Sequence, residues 1–191
     1  TAVEVALKLA YQFWQNTGAV GRKRFLCLEG AYHGDTLGAM SVGDRSTFTQ
    51  SFVDLLFAVD AVPFPATWEG DDEVDAKEAR ALLRLEQLLL DRSGEYAAMV
   101  LEPLVQGAGG MRMCRPQFLG AVQALLQEHD VLAIYDEVLT GFGRTGELFA
   151  CAKAATQPDI ICLAKGLTGG FLPLAATVCS DRIFVSFNTE C

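Results

Sequence analysis

The 191-residue chain is poor in the groups that build metal and disulfide sites. It has two histidines, His33 and His129, and six cysteines scattered singly: Cys27, Cys114, Cys151, Cys162, Cys179 and Cys191. No C-x-x-C pair occurs and no cysteines cluster with histidine at zinc spacing, so neither a zinc site nor a disulfide framework of the small secreted kind is expected. Several cysteines sit inside apolar runs, where a thiol behaves as a small hydrophobe, and a reducing cytoplasmic setting fits that usage. Positive charge is scarce too: 15 Lys and Arg against 24 Asp and Glu leave a formal net charge of -9. That sign argues against nucleic acid or an anionic membrane as partner and favours small molecules or other proteins. No apolar stretch reaches the roughly 18 to 20 residues of a spanning helix. The opening "TAVEVALKLAYQFW" carries acid and base at helical spacing, unlike a signal peptide. There is no internal repeat, low-complexity tract or Gly/Pro/Ser-rich linker to divide the chain. What remains, with 51% hydrophobic residues, is material for one sizeable core.

The apolar residues fall into alternating patterns. Val3, Ala6, Leu7, Ala10, Tyr11 and Trp14 form one helical face, closed by Gly18. "RFLCLEG" reads as a buried strand that runs into a polar, glycine-rich loop, "GAYHGDTLGAMSVGD". Residues 71–94 combine an acidic start, leucines at helical spacing and a terminal glycine, which predicts a helix. "YAAMVLEP" then reads as a strand, "PQFLGAVQALLQEHD" as a helix opening on Pro116, and "VLAIYDE" and "DIICLAK" as strands. Helices alternating with strands that are apolar throughout predict an α/β fold, with a mostly parallel central sheet between helices. In such a fold functional groups collect at the carboxyl ends of the strands. Those ends read Glu29-Gly30, Glu102-Pro103, Asp136-Glu137 and Lys165-Gly166.

Asp136 and Lys165 end consecutive predicted strands, so parallel neighbours would bring both to one rim of the sheet. A lysine at the end of a buried run is costly unless it is paired or loses its proton. A structural ion pair is one reading. The other is chemical: the lysine forms an imine with an aldehyde cofactor and the aspartate holds a protonated ring nitrogen. Pyridoxal 5′-phosphate (PLP) needs those two groups, and a released lysine can also carry protons to and from the substrate carbon. "GFGRTG" (141–146) matches the dinucleotide pattern G-x-G-x-x-G, and NAD binding is the alternative it raises. A Rossmann fingerprint should open a helix directly after the first strand, whereas here only the short segment "ELFACAKAATQPD" follows.

Four motifs in order, "GAYHGDTLGAMSVGD", "LEPLVQGAGGMRM", "YDEVLTGFGRTGELFA" and "PDIICLAKGLTGG", resemble the class III (omega) aminotransferases, and within them the branch that serves biotin synthesis. The resemblance covers practically the whole chain. It implies the large domain of a PLP-dependent transferase of fold type I, with residues 1–191 its central part. The family's phosphate-binding Gly-Ser pair would precede the first helix, and a small domain would follow. It further implies a cytoplasmic homodimer with active sites between subunits. Lys165 would be the catalytic residue that holds PLP, and Asp136 would bond its pyridine nitrogen. Tyr32 would lie by the ring and border the substrate pocket, and Val138 would cover the other face. Asp35 and Arg144 would bear on substrate recognition, and Glu102 would bond polar groups close by, although core packing, a salt bridge or an exposed loop would equally account for Val138, Glu102 and Arg144. His33 is expected to pack in the turn beside Gly34. The implied reaction moves an amino group from S-adenosylmethionine to 8-amino-7-oxononanoate, by way of PLP and pyridoxamine phosphate. Cys114, where an aromatic residue is expected, and Leu139, where a smaller one is, leave the substrate open. The alternatives are another omega-aminotransferase, a nucleotide-binding module, or a folded piece without turnover.

Overall fold

A computed structural model describes residues 1–45, 47 and 49–188; Cys191 lies outside the described residues. Helix α1 (Ala2–Asn16) leads to strand β1 (Arg24–Leu28), followed by the one-turn helix α2 (Leu37–Ser41) and the short strand β2 (Asp60–Val62). The acidic, leucine-rich segment forms α3 (Val74–Asp91), and β3 (Tyr96–Leu101) follows. A small antiparallel ribbon of β4 (Val105–Gln106) and β5 (Arg112–Met113) precedes α4 (Pro116–Glu128) and β6 (Leu132–Asp136). Last come α5 (Ala150–Lys153), β7 (Ile160–Leu163), β8 (Ala176–Cys179) and α6 (Asp181–Val185).

The main sheet has the order β2-β1-β3-β6-β7-β8. Every pairing is parallel except that of β8, which runs antiparallel on β7. Because side chains alternate along a strand, each strand feeds two cores. Leu26, Leu28, Met99, Leu101, Ala133 and Tyr135 meet α3 and α4 on one face. Phe25, Cys27, Val100, Leu132, Ile134 and Cys162 meet α1 on the other. Strands covered on both faces have no polar side to show, which is why their sequences are apolar throughout.

Helix α1 closes the second face with Val3, Ala6, Leu7, Ala10, Phe13 and Trp14, and the Trp14 indole N–H donates to the Ala97 carbonyl at 2.8 Å. Tyr11 does not belong to this stripe. It is exposed, and Phe13 takes the inward place, because the buried arc is centred on Ala6 and Ala10 and Tyr11 falls at its edge. Four strands escaped the sequence reading. β2 and the β4/β5 ribbon have two or three residues per strand, too few to show a period, and β8 is half-buried at a sheet edge. The five described cysteines are free thiols, and no helix among the described residues is long and apolar enough to cross a membrane.

Candidate active site

Asp136 is the last residue of β6, and in the register Cys162 of β7 lies opposite it. Lys165 follows Cys162 by three residues, so the two charged groups do share the carboxyl rim of the sheet. Their environments differ from expectation. β7 stops at Leu163, and Lys165 opens a single 3-10 turn (Lys165–Leu167) in which its own backbone has φ +32°. The lysine is exposed rather than buried. Its amine makes no hydrogen bond or ion pair among the described residues, so the structural ion pair with Asp136 is not formed. A charge that has water around it carries no burial penalty, which removes the cost that the apolar run suggested.

Asp136 is 5% exposed and already has partners. Its Oδ2 lies 2.9 Å from His33 Nδ1, and its Oδ1 accepts the Val138 backbone N–H at 3.1 Å. His33 therefore does more than pack beside Gly34: it spans 103 residues of sequence to reach the aspartate. Its Nε2 is buried without a partner. Nothing in the spacing of a lone histidine announces such a pair; the only signal was its place in a polar loop just after a strand end. Val138 stands in a turn beyond β6, not on an extended backbone, and packs against the α1-side core. Its contribution to Asp136 is its N–H.

Glu102, at the end of β3, ties the neighbouring loops together. One oxygen accepts the Gly107 N–H at 3.0 Å and the other the Tyr32 N–H at 3.3 Å. Burial pushes its carboxyl above the ordinary range, against the opposing pull of the His33 ring and those two N–H groups. Tyr32 is thereby held by its backbone while the residue stays 45% exposed. Its hydroxyl lies 3.1 Å from both oxygens of Asp35, and burial together with that hydrogen bond raises the phenol above its usual value. Tyr32, His33 and Asp35 line a cavity of about 1190 Å³, which Asp44, Thr49 and Arg112 border from other loops. A smaller cavity of about 470 Å³ runs along α1 by Lys8 and Tyr11; His33 lines only the larger cavity, and neither Asp136 nor Lys165 is among the residues lining either one.

The loop "GFGRTG" is not a nucleotide cradle. It follows β6, not the first strand, and opens only the four-residue α5. Arg144, expected to bear on substrate, is exposed and donates from Nε to the Leu139 carbonyl of its own loop at 2.9 Å. Sequence reasoning missed Glu137, fully buried beside Asp136, which organises this loop. Its carboxylate accepts the Thr140 hydroxyl at 2.7 Å and the N–H groups of Ala150 and Cys151 at 2.9 and 2.8 Å, thereby capping α5.

The start of α1 reaches the same rim. The Thr177 hydroxyl of β8 donates to the Ala2 carbonyl at 2.9 Å, and the first turn of α1, which no side chain among the described residues caps, turns backbone N–H groups and a positive dipole end of the kind that suits an anion toward this rim. The residues present thus fit PLP: an unpaired amine, a buried carboxylate for a ring nitrogen, an exposed aromatic face and an uncapped helix start.

Comparison with known proteins agrees with this geometry. The profile of the class-III aminotransferases matches residues 1–190. The adenosylmethionine-8-amino-7-oxononanoate aminotransferase of Synechococcus elongatus is 58% identical over 187 residues, 98% of this chain and 43% of that protein. The enzyme of the same name from Geobacter sulfurreducens is 45% identical and matches 100% of this chain and 43% of its own length. The chain therefore spans less than half the length of these relatives. Among solved structures, the adenosylmethionine-8-amino-7-oxononanoate aminotransferase of Methanocaldococcus jannaschii is 40% identical, with TM-score 0.86 over 99% of this chain and 42% of that one. A PLP-bound amine transaminase from an uncultivated Pseudomonas species is 36% identical, with TM-score 0.90 over 97% of this chain and 42% of that one. With its sheet order, its carboxyl rim and this match from end to end, the chain belongs to the class-III aminotransferase family.

Proposed function

We propose that residues 1–191 form the central part of the PLP-binding large domain of a longer aminotransferase, which moves an amino group from S-adenosylmethionine to 8-amino-7-oxononanoate in biotin synthesis. The observation that carries this reading is that one rim of the sheet holds both Lys165, exposed and unpartnered among the described residues, and a buried, histidine-bonded Asp136. PLP supplies an aldehyde carbon and an electron-withdrawing ring. The chain's own groups do the rest. Lys165 Nζ would hold the cofactor and, when free, would carry a proton to and from the substrate carbon. Asp136, oriented by His33 and the Val138 N–H, would bond the protonated ring nitrogen. Tyr32 offers its ring face and hydroxyl to the pocket, and Asp35 supplies a negative charge suited to a cationic donor. The first turn of α1 receives the phosphate. Val138 serves this site through its N–H to Asp136, and Arg144 through the loop that carries it.

The relatives' names support the substrate pair, and the absence of a spanning helix among the described residues is compatible with a cytoplasmic enzyme. A homodimer completes the proposal. Donor specificity is the test: the longer protein should transfer the amine of S-adenosylmethionine to 8-amino-7-oxononanoate. If alanine or ornithine serves and S-adenosylmethionine does not, the biotin assignment falls and a different omega-aminotransferase remains.

A further inference from the structure

Lys165 and Phe142 are both non-glycine residues with left-handed backbone, at φ +32° and φ +61°. Such conformations persist only where the surroundings hold them. The Lys165 turn has backbone support, since the Leu167 N–H donates to the Ala164 carbonyl at 2.8 Å and the Gly169 N–H to the Lys165 carbonyl at 2.9 Å. The Lys165 side chain adds none, because it bonds nothing among the described residues. The Phe142 ring supplies the rest. It rests so closely on Gly166 that a Cβ added there would meet Phe142 Cδ2 at 2.7 Å and its Cβ at 2.8 Å.

Phe142 is itself braced. Its ring meets Phe149 edge-on at 5.7 Å, the Gly143 N–H donates to the Leu148 carbonyl at 3.2 Å, and the Glu137 carboxylate pins both ends of the loop. A rigid path thus runs from buried Glu137, next to Asp136, through the "GFGRTG" loop to the residue after Lys165.

We propose that Phe142 is a positioning residue for Lys165: its ring, seated on Gly166, fixes the turn that aims the lysine amine at the rim holding Asp136. This rests on the reading of Lys165 as the PLP lysine. A loop phenylalanine that only fills space would affect stability and leave the lysine's chemistry alone, so the two roles can be separated.

The test uses the longer enzyme with Phe142→Ala. In the PLP-free protein, amide hydrogen exchange at Leu167 and Gly169 should quicken by about tenfold or more as the turn loosens. In the PLP-loaded protein the pH midpoint of the visible cofactor band should move, and kcat should fall about 10- to 100-fold with KM for the amine donor little changed. Gly166→Ala, whose methyl collides with the ring, should reproduce these effects, and the double variant, where the methyl occupies the vacated space, should recover part of them. Unchanged exchange, band midpoint and kcat would overturn the proposal. So would a lowered melting temperature with an unmoved midpoint. A Lys165→Ala protein that keeps the borohydride-fixable band would overturn the underlying reading instead, whatever Phe142 does.

Discussion

The two ends of the central sheet treat their charges in opposite ways. At the amino ends of the strands Asp60 accepts the Tyr96 hydroxyl at 2.8 Å and meets the Arg24 guanidinium at 2.9 Å, with Arg92 at 3.8 Å. Burial works to raise the Asp60 carboxyl, but Tyr96 and Arg24 outweigh it and hold it below its ordinary value. At the carboxyl ends Glu102 and Asp136 face a histidine and backbone N–H groups with no lysine or arginine bonded to them, and Lys165 stands apart. One rim is neutralised within itself. The other keeps an amine and carboxylates separate, as a site must if a ligand is to complete it.

The sharpest way to break this comparison is to remove the unpaired amine. Lys165→Ala should lower transamination by about 10³-fold or more, since tether and proton carrier go together. Stability should change by no more than about 0.5 kcal/mol, because an exposed side chain without partners leaves nothing unsatisfied. A large loss of stability would mean that Lys165 has a structural partner after all.

Asp136→Ala probes the opposite design, a buried group held by partners on both of its oxygens. It strands the His33 ring nitrogen and the Val138 N–H, so a cost of about 1–3 kcal/mol in urea unfolding is expected, together with weakened PLP binding by equilibrium dialysis. At the other rim Asp60→Asn should cost about 1 kcal/mol or less, since the site is partly open to solvent, and PLP affinity should not change.

The smallest effects separate the rims by the sign of their pH dependence. Because Asp60 is depressed in the fold, the stability it contributes is present above its ordinary unfolded value and is lost as pH falls through its native one. Because Glu102 is raised, the folded protein binds its proton more tightly than the unfolded chain does. Its contribution therefore becomes less favourable as pH climbs from the ordinary carboxylate value to the native one. Unfolding curves across the acid range should show Asp60→Asn flattening the acid-side loss and Glu102→Gln removing the slope of opposite sign. Slopes of the same sign in both variants would contradict the assigned environments.

What the sequence displayed and what it hid follow the same physics. Continuous apolar runs such as "YAAMVL" and "LAIYD" marked strands covered on both faces, and the charged residues after them marked the rim, so the fold class and the placement of Asp136 and Lys165 on one rim were legible. The pairing of His33 with Asp136 was not, because it is a tertiary contact between a loop and a strand end. The sequence makes Lys165 the end of a strand because the apolar run continues to Ala164, while the chain leaves the sheet at Leu163. Arg144 and Val138 stand out by motif, and the local bonds that hold them, Arg144 to its own loop and the Val138 N–H to Asp136, show only in the structure.

The most direct measurement is to load the longer protein with PLP, reduce with borohydride and map the modified peptide. The cofactor mass is expected on Lys165, in the peptide containing "IICLAKGLTGG", and to vanish in Lys165→Ala. A cofactor fixed on another lysine, or an unaltered yield without Lys165, would contradict the central claim.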